Sequence, residues 1–281
     1  MIRGGGGMAG ADRRAAPDLV RARDAIAARG IALGSPLTLV DETESTNDDA
    51  KQGARAGTEH GAVWLAESQT AGRGRQGRAW IAPRGENLLF SVLLRLRCPP
   101  PRVPPVSLAC GLAVRDAVAR ALGASRDGDV MVKWPNDVLI GKKKVAGVLV
   151  ESAVSGTRVE YVVVGIGINV LTRSLPDELS GIATSIALEG GVDLDRAEIL
   201  ADVLAGLDRD IELVAHRGLG LVHARLTRHD ALAGREVESP DLESSLRGTA
   251  CGIDLEGRLL VRAGDGKVTK VASGELRIRA L

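Results

Sequence analysis

The sequence predicts an α+β fold: a large domain built on a mixed or antiparallel sheet flanked by helices, followed by a small β-barrel. Two observations support this. Short apolar strands are interspersed with a few helices and do not alternate in regular β-α-β units. From Gly234 onward, short alternating strands and Asp-Gly or Glu-Gly turns replace any helical period. We therefore expect an N-terminal tail at 1–35, a large domain at 36–233 and a barrel at 234–281.

Composition narrows the class of protein. With 281 residues, of which 44% are hydrophobic and 26% charged, the chain is long enough for one large and one small globular domain. The net charge of +1 creates no general attraction to nucleic acid or to a membrane surface, so we expect neither DNA nor a membrane as partner. The widely spaced cysteines Cys98, Cys110 and Cys251 indicate a reducing compartment, the cytoplasm, and a buried, apolar role for each.

The elements follow in order. Residues 1–18 are rich in glycine and predict disorder, and Met8 is an alternative start. Ser45-Thr46-Asn47-Asp48 is typical of a helix start with capping hydroxyls. Gly123 ends a strong amphipathic helix. We predict helices at 18–29, 46–56 and 106–123 and two or three between about 195 and 232, with strands at 36–42, 61–69, 86–97, 129–134, 137–140, 144–154 and 158–170.

The segment "TAGRGRQGRAW" (70–80) is the first candidate for chemistry. Its glycines match the G-x-G-x-x-G pattern of dinucleotide-binding proteins, but a strand follows where that fold needs a helix, so this interpretation fails. A nucleic-acid strip, supported by the lysines at 142–144, and a solvated basic loop remain alternatives. Glycines that admit a ligand and arginine forks that bind carboxylates and phosphates also suit a carboxylate attacking the α-phosphate of ATP.

Three further segments carry polar residues in unusual places. "KWPNDVLI" (133–140) groups Lys, Trp, Asn and Asp around a proline turn. Lys144 begins a buried strand, where a lone cation needs an anionic partner. Asn169 ends "VVVGIGINV" (162–170) at the edge of the sheet. For each segment a role in packing alone remains an alternative.

These segments, in this order, resemble the biotin–protein ligase family (biotin–[acetyl-CoA-carboxylase] ligase). The matching motifs are "ESTN" (44–47), "AESQTAGRGRQGRAW" (66–80), "NLLFSVLLR" (87–95), "KWPNDVLI" (133–140), "KVAGVLVE" (144–151) and "GIGINV" (165–170). The resemblance covers about 38 to 281. It implies a class II synthetase-like catalytic domain with an SH3-like barrel, and two half-reactions. Biotin and ATP, assisted by Mg²⁺, give biotinyl-5′-AMP, which then acylates a lysine of a biotin carboxyl carrier protein.

The resemblance also assigns site residues. Lys144 and Arg75 are expected to be catalytic. Asp137 is a third catalytic candidate on chemical grounds, either orienting or deprotonating the acceptor lysine or merely fixing the turn after Pro135. The metal ligands remain unassigned. The biotin pocket is expected to contain Ser45, Thr46, Asn47, Gln69, Arg73, Gly74, Arg75, Lys144 and Gly147. The ATP and adenylate side is expected to contain Arg75, Arg78, Trp80, Asn136, Lys144 and Asn169.

Departures from the family pattern carry their own expectations. Too few residues precede the ligase core for the N-terminal winged helix-turn-helix of many members, so we expect a monofunctional ligase without DNA binding. Gln76 replaces a frequent loop arginine at an expected solvent-facing position. The acceptor lysine is expected to belong to acetyl-CoA carboxylase or a related carboxylase. No tightly bound metal or redox cofactor is expected. Exposed strand edges would allow a homodimer. A lipoate–protein ligase and a binding module without turnover are the rival functions.

Overall fold

A computed structural model describes residues 17–239, 246–274 and 276–278. Most of the segment expected to be disordered, residues 1–16, lies outside these ranges. Its last two residues do not follow the prediction: Pro17 and Asp18 begin a short helix whose Leu19 is completely buried. The N-terminal segment therefore packs on the large domain from Asp18 onward.

The large domain is built on a seven-stranded mixed sheet, as predicted. The strands are β1 (Leu37–Thr43), β2 (Val63–Gln69), β3 (Leu88–Leu94), β4 (Val130–Lys133), β5 (Asp137–Ile140), β6 (Lys143–Ser155) and β7 (Arg158–Ile168). Their order in the sheet is β1-β2-β3-β7-β6-β5-β4. Only β1 and β2 run parallel, and the remaining neighbouring pairs are antiparallel.

Helices flank this sheet. They are α1 (Pro17–Val20), α2 (Ala22–Ala28), α3 (Thr46–Arg55), α4 (Pro104–Leu122), α5 (Asp177–Ser180), α6 (Arg196–Arg217) and α7 (His223–Arg228). The two long helices, α4 and α6, pack against each other so closely that a Cβ atom at Gly206 would lie 2.8 Å from the Cβ of Ala113. Asp195 caps α6 by accepting hydrogen bonds from the backbone of Ala197 and Glu198.

Three of the predicted helices differ in detail. The helix expected at 18–29 is divided into α1 and α2. Helix α4 starts two residues earlier than predicted, at Pro104, because proline has no N–H and the first turn of a helix needs none. Helix α3 starts as predicted, but the hydroxyl of Ser45 makes no capping hydrogen bond. That hydroxyl is therefore not committed to the helix.

The core of the large domain follows the hydrophobic pattern. Every residue of β3 is buried, because the strand "LLFSVLL" (88–94) is apolar on both of its faces apart from one serine. Ser91 is the one polar residue in it and is completely buried as well. Among the described residues, no helix is both long and apolar enough to span a lipid bilayer.

The C-terminal residues form a five-stranded antiparallel sheet, in agreement with the expected all-β unit. Its strands are β8 (Glu236–Glu238), β9 (Arg247–Ile253), β10 (Leu259–Arg262), β11 (Val268–Val271) and β12 (Arg277–Ile278), in the order β11-β10-β9-β8-β12. The sheet shares an apolar cluster with α4 and α7, including Leu112, Leu226 and Leu259. The indole N–H of Trp134 donates to the carbonyl of Gly257, 2.9 Å away, and thus attaches the sheet to the turn after β4.

The cysteines depart from expectation in one case. Cys98 and Cys110 are buried, but Cys251 is exposed. Side chains alternate along β9, so that Ala250 points into the apolar cluster and Cys251 points outward.

Candidate active site

A cavity of about 170 Å³ opens between the glycine-rich loop, the sheet and the turn at 133–137. Since roughly 15 Å³ already accommodates a water molecule, this volume is that of a small-molecule site. The start of α3, the end of β2 and strands β6 and β7 form its walls. Gly274 and Leu276, which lie between β11 and β12, also line it, so both domains contribute to one site.

The cavity gathers every predicted site residue except Asn169. The side chain of Asn169 is buried and donates to the carbonyl of Thr184 at 2.9 Å, which fixes the segment after β7. The structure thus gives Asn169 a supporting position and not a lining one. The predicted residues that line the cavity are Ser45, Thr46, Asn47, Gln69, Arg73, Gly74, Arg75, Arg78, Trp80, Asn136, Asp137, Lys144 and Gly147.

Lys144 has the anionic partner that its position demanded. Its Nζ lies 2.6 Å from Oδ1 of Asp137 and 5.3 Å from the centroid of the Trp80 ring. A bulge between β5 and β6 shifts the register from Val138–Ala146 to Leu139–Lys144. Bulges redirect side chains, and here the result is a cation and a carboxylate facing the same cavity. The Lys144 side chain remains one-third exposed, so a ligand can reach it.

Glycines of the two central strands make room for the cavity. A Cβ atom at Gly167 would lie 2.5 Å from the Trp80 ring, and one at Gly147 would lie 3.1 Å from it. The buried indole N–H of Trp80 has no hydrogen-bond partner in the described part of the chain. Glycine is therefore needed at both positions if Trp80 is to lie flat on the sheet with its N–H available.

Gly165 and Gly167 were not among the predicted site residues, although both line the cavity. The signal was present in "GIGIN": its glycines are two residues apart, so they point to the same side of a strand. We named only the asparagine of that motif.

A network of polar side chains forms the wall near α3. Gln69 Oε1 lies 2.8 Å from the backbone N of Thr46 and 3.1 Å from its Oγ1. Ser91 Oγ lies 2.8 Å from Thr46 Oγ1 and 2.6 Å from Asn47 Oδ1. Asn47 in turn donates to Glu151 at 2.7 Å. The network therefore runs from the cavity along the face of the sheet that α3 covers, and it ends at the Glu151 carboxylate.

Ser91 and Glu151 were also missed. The signal for Ser91 is a hydroxyl within an otherwise apolar strand, "LLFSVLL" (88–94). Glu151 lay inside a quoted motif, but nothing in the sequence connects it with Asn47. The contact between Asn47 and Glu151 forms because α3 packs on the sheet in which β3 and β6 both lie.

The glycine-rich loop forms a small hairpin. Arg73 pairs with Ala79 as an isolated bridge, and Gly74 N donates to Arg78 O at 2.7 Å. Gln76 and Gly77 adopt positive φ values of 58° and 72° at its tip. Gly77 fits this region because it has no Cβ. Gln76 is exposed, as expected, and its amide oxygen accepts from Arg78 at 2.7 Å.

The loop arginines are already held by partners. Arg73 donates to Asp48 at 2.7 Å. Burial alone would raise the pKa of Asp48, but its hydrogen bonds with Arg73 and Lys51 outweigh burial and lower that pKa below its ordinary value. Arg75 reaches Asn136 Oδ1 and the carbonyl of Gly274, each at 3.4 Å. The loop is thereby oriented over the cavity.

Gly74 differs from Gly147 and Gly167. A Cβ atom there would meet only the carbonyl of Arg78, at an ordinary contact distance of 3.6 Å. The packing of the protein itself therefore does not require glycine at position 74.

Comparison with known proteins agrees with this site. Residues 39–169 match the model of the biotin/lipoate A/B protein ligase family, and residues 233–276 match that of the biotin protein ligase C terminal domain. The biotin–[acetyl-CoA-carboxylase] ligase of Mycobacterium tuberculosis is 36% identical over 85% of this chain and 88% of its own length. The bifunctional ligase/repressor BirA of Bacillus spizizenii is 32% identical over 88% of this chain and 75% of its own.

A solved structure leads to the same family. The biotin protein ligase from Aquifex aeolicus in complex with biotin and ATP superposes with a TM-score of 0.73 at 29% identity and covers 86% of this chain and 99% of its own. Two domain models, relatives above 30% identity and the shared fold together show that the chain belongs to the biotin protein ligases of the biotin/lipoate A/B protein ligase family.

Proposed function

We propose that this protein activates biotin with ATP to biotinyl-5′-AMP and transfers the biotinyl group to a lysine of a biotin carboxyl carrier protein. The observation that carries the proposal is one cavity in which Lys144, its partner Asp137 and the half-buried Trp80 ring lie beside a neutral polar wall. A wall of hydroxyl and amide groups suits a ureido ring, and the cationic side suits a carboxylate and phosphates.

In the first half-reaction, a biotin carboxylate oxygen attacks the α-phosphorus of ATP, and the bond to the departing pyrophosphate breaks. Both reactants are anions, so fixed positive charge lowers the barrier. Lys144 lies where it can contact the carboxylate and the α-phosphate together. Arg73 and Arg75 approach from the loop. Because these cations are oriented before substrate arrives, little reorganisation is needed during the reaction.

The two ends of the cavity take different parts of the intermediate. Ser45, Thr46, Asn47 and Gln69 surround the proposed biotin ring, while Gly74 and Gly147 leave space for its chain. The nucleotide lies on the side of Arg78, Trp80 and Asn136, where the indole supplies a flat surface and a buried N–H for a ring acceptor. Asn169 acts on this side only through the segment that it fixes.

In the second half-reaction, the acceptor lysine attacks the carbonyl carbon of the mixed anhydride, an amide bond forms and AMP leaves. The lysine must first lose a proton, since an ammonium group has no free electron pair. Asp137 is the proposed acceptor of that proton, because it already binds an ammonium group in this structure. Its placement at the first residue of β5 also supports the alternative, in which it holds Lys144 and the turn.

Mg²⁺ is proposed to enter as part of the substrate, MgATP. The described residues contain no group of three or more His, Cys, Asp or Glu side chains placed to hold a metal. Asp137 is the one acidic residue lining the cavity in that part of the chain, and it is engaged by Lys144. Mg²⁺ commonly binds substrate phosphates with few protein ligands, which suits such a site.

We also propose the acceptor protein, the cellular compartment and the oligomeric state. A carboxylase such as acetyl-CoA carboxylase supplies the acceptor, and the reducing cytoplasm is the compartment. The net charge of +1 supports activity without DNA binding. A homodimer through the strand edge of β1 is a proposal to be tested by measuring the mass of the protein in solution; the edge of β4 is covered by residues 229–231, which bond to Val132.

Mass spectrometry of a purified biotin carrier domain tests the function directly. The domain is incubated with this protein, MgATP and either biotin or lipoate, with reactions lacking ATP as controls. We expect one biotin-sized mass gain, dependent on ATP and on biotin. A gain with lipoate alone would favour the lipoate–protein ligase, and biotin binding without any gain would favour a binding module.

A further inference from the structure

We propose that Glu151, which does not line the cavity, is a positioning residue that fixes the direction of the hydrogen bonds in the polar wall. It thereby turns Thr46 and Gln69 into a pair of acceptors for a ligand N–H group. This inference rests on the proposed function, because the ureido ring of biotin carries such N–H groups. Ser91 and Asn47 transmit the effect between the two ends.

The direction is set at the carboxylate. Glu151 accepts from Lys51 at 2.9 Å and from Nδ2 of Asn47 at 2.7 Å. A carboxylate has no hydrogen to donate, so Asn47 must present its NH₂ group to Glu151. Its carbonyl oxygen then points to Ser91. Gly165 leaves space for this orientation, since a Cβ atom there would lie 2.2 Å from that oxygen.

Hydrogen counting carries the direction onward. An amide oxygen only accepts, so the single hydrogen of the Ser91 hydroxyl is used on Asn47, across 2.6 Å. Either hydroxyl could donate across the 2.8 Å between Ser91 and Thr46. The two hydroxyl hydrogens cannot serve all three contacts, and with the Ser91 hydrogen on Asn47 the Thr46 hydrogen can go either to Ser91 at 2.8 Å or to Gln69 at 3.1 Å. We assign it to Ser91, because 2.8 Å is the usual length of a hydroxyl hydrogen bond.

The last contact is consequently left without a hydrogen. Thr46 Oγ1 and Gln69 Oε1 lie 3.1 Å apart, the longest separation in the series. The Gln69 amide cannot simply turn over, because its oxygen accepts from the backbone N–H of Thr46 at 2.8 Å. Two acceptors thus face each other beside the cavity. A ligand N–H placed against them satisfies both, whereas a ligand oxygen that only accepts is repelled.

Replacing the Glu151 carboxylate by an amide should reverse the direction of the hydrogen bonds between Asn47, Ser91 and Thr46. In Glu151→Gln, the amide oxygen remains on the Lys51 ammonium and its NH₂ faces Asn47, so the Asn47 amide turns over. Asn47 then donates to Ser91, Ser91 to Thr46 and Thr46 to Gln69, and every contact has its hydrogen. We expect the variant to be as stable as the wild type, with a Kd for biotin raised about tenfold or more, because the ligand N–H loses its acceptors.

Lys51 supplies the matched control. Lys51→Met retains the Glu151 carboxylate, so the Kd for biotin should stay within about twofold of wild type. In the double variant Lys51→Met/Glu151→Gln, the Lys51 ammonium group is absent, so the amide at position 151 no longer has to direct its oxygen toward residue 51. It can accept from Asn47 again, and biotin affinity should return toward the wild-type value. A merely structural role for Glu151 predicts no such recovery.

The experiment is isothermal titration calorimetry of the four full-length proteins with biotin, together with urea unfolding of each. Recovery in the double variant, with stability retained in Glu151→Gln, is the expected result. Unchanged affinity in Glu151→Gln, or parallel loss of affinity and stability without recovery, would overturn the role of Glu151. Absence of biotin binding by the wild-type protein would overturn the proposed function itself, and the assignment of biotin to this wall with it.

Discussion

Two basic side chains of the large domain, Arg196 and Lys144, lie in opposite electrostatic situations. Arg196 is 1% exposed and donates to both oxygens of Asp18 at 2.8 Å, to Glu67 at 2.8 Å and to the carbonyl of Asn87 at 3.1 Å. Lys144 is 33% exposed, with one carboxylate and one aromatic ring beside it. The first is enclosed by the protein, and the second faces an open cavity.

The difference separates charge used for folding from charge used for chemistry. A guanidinium surrounded by carboxylates and a carbonyl cannot attract a further anion, but removing it takes the Arg196 cation away from the buried carboxylate of Glu67 and from Asp18. An ammonium with one carboxylate partner and a solvent-facing side can bind a substrate anion. We therefore expect variants at Arg196 to change the free energy of unfolding and variants at Lys144 to change the rate.

The largest effect on stability is expected for Arg196→Met. Glu67, which is 2% exposed, would keep its charge without the guanidinium, and breaking such a pair costs about 3–5 kcal/mol. Urea unfolding measures the change. Arg120→Met is the control, because its pair with Asp202 is on the surface and should contribute less than about 1 kcal/mol. Equal effects of the two variants would erase the distinction between enclosed and exposed cations.

A smaller effect, confined to the cavity, is expected for Gly167→Val. The new Cβ would lie 2.5 Å from the Trp80 ring and would displace the indole from the sheet. We expect adenylate formation to fall about tenfold or more, while overpacking costs about 1–3 kcal/mol of stability. Pyrophosphate exchange and urea unfolding measure the two quantities.

Gly128→Ala serves as the control for that variant, since no atom lies within 4 Å of its added Cβ. Its exchange rate should equal that of the wild type. A normal exchange rate in Gly167→Val would mean that the position of the Trp80 ring against Gly147 and Gly167 is irrelevant to the reaction.

The smallest expected effect is on the free energy of unfolding at low pH. Burial opposes the charge of Asp18, but its hydrogen bonds with Arg196 prevail and hold its pKa below the ordinary 3.8. A lowered folded-state pKa stabilises the protein fully above about 3.8 and loses that contribution as the pH falls through the folded value. The stability difference between wild type and Arg196→Met should therefore shrink below pH 3.8. A difference independent of pH would show that Asp18 contributes nothing to it.

Of these two cations, the sequence predicted the role of Lys144 but not that of Arg196. Lys144 was found because a lysine at the start of a buried strand requires an anion, and Asp137 lay in a recognisable turn. Arg196 was not singled out, since Asp18, Glu67 and Asn87 come from distant parts of the chain. The same reason hid Glu151 and Ser91. A motif also does not reveal which way a side chain points, so the bond between Asn169 and Thr184 could not be predicted.

The domain arrangement shows the same limit. Alternating strands after Gly234 predicted a β unit, and the structure contains it. The sequence could not predict that Trp134 would bond to Gly257 or that Leu276 would line the cavity, because these contacts join segments more than 100 residues apart.

The most direct test of the account is Lys144→Ala, with adenylate formation followed by pyrophosphate exchange and stability by urea unfolding. We expect the exchange rate to fall about 100- to 1000-fold, as when a preorganised charge is removed from a transition state. The free energy of unfolding should change by less than about 1 kcal/mol, because the side chain is one-third exposed. Full exchange activity in this variant would contradict the mechanism, and a loss of stability like that of Arg196→Met would contradict the division between the two cations.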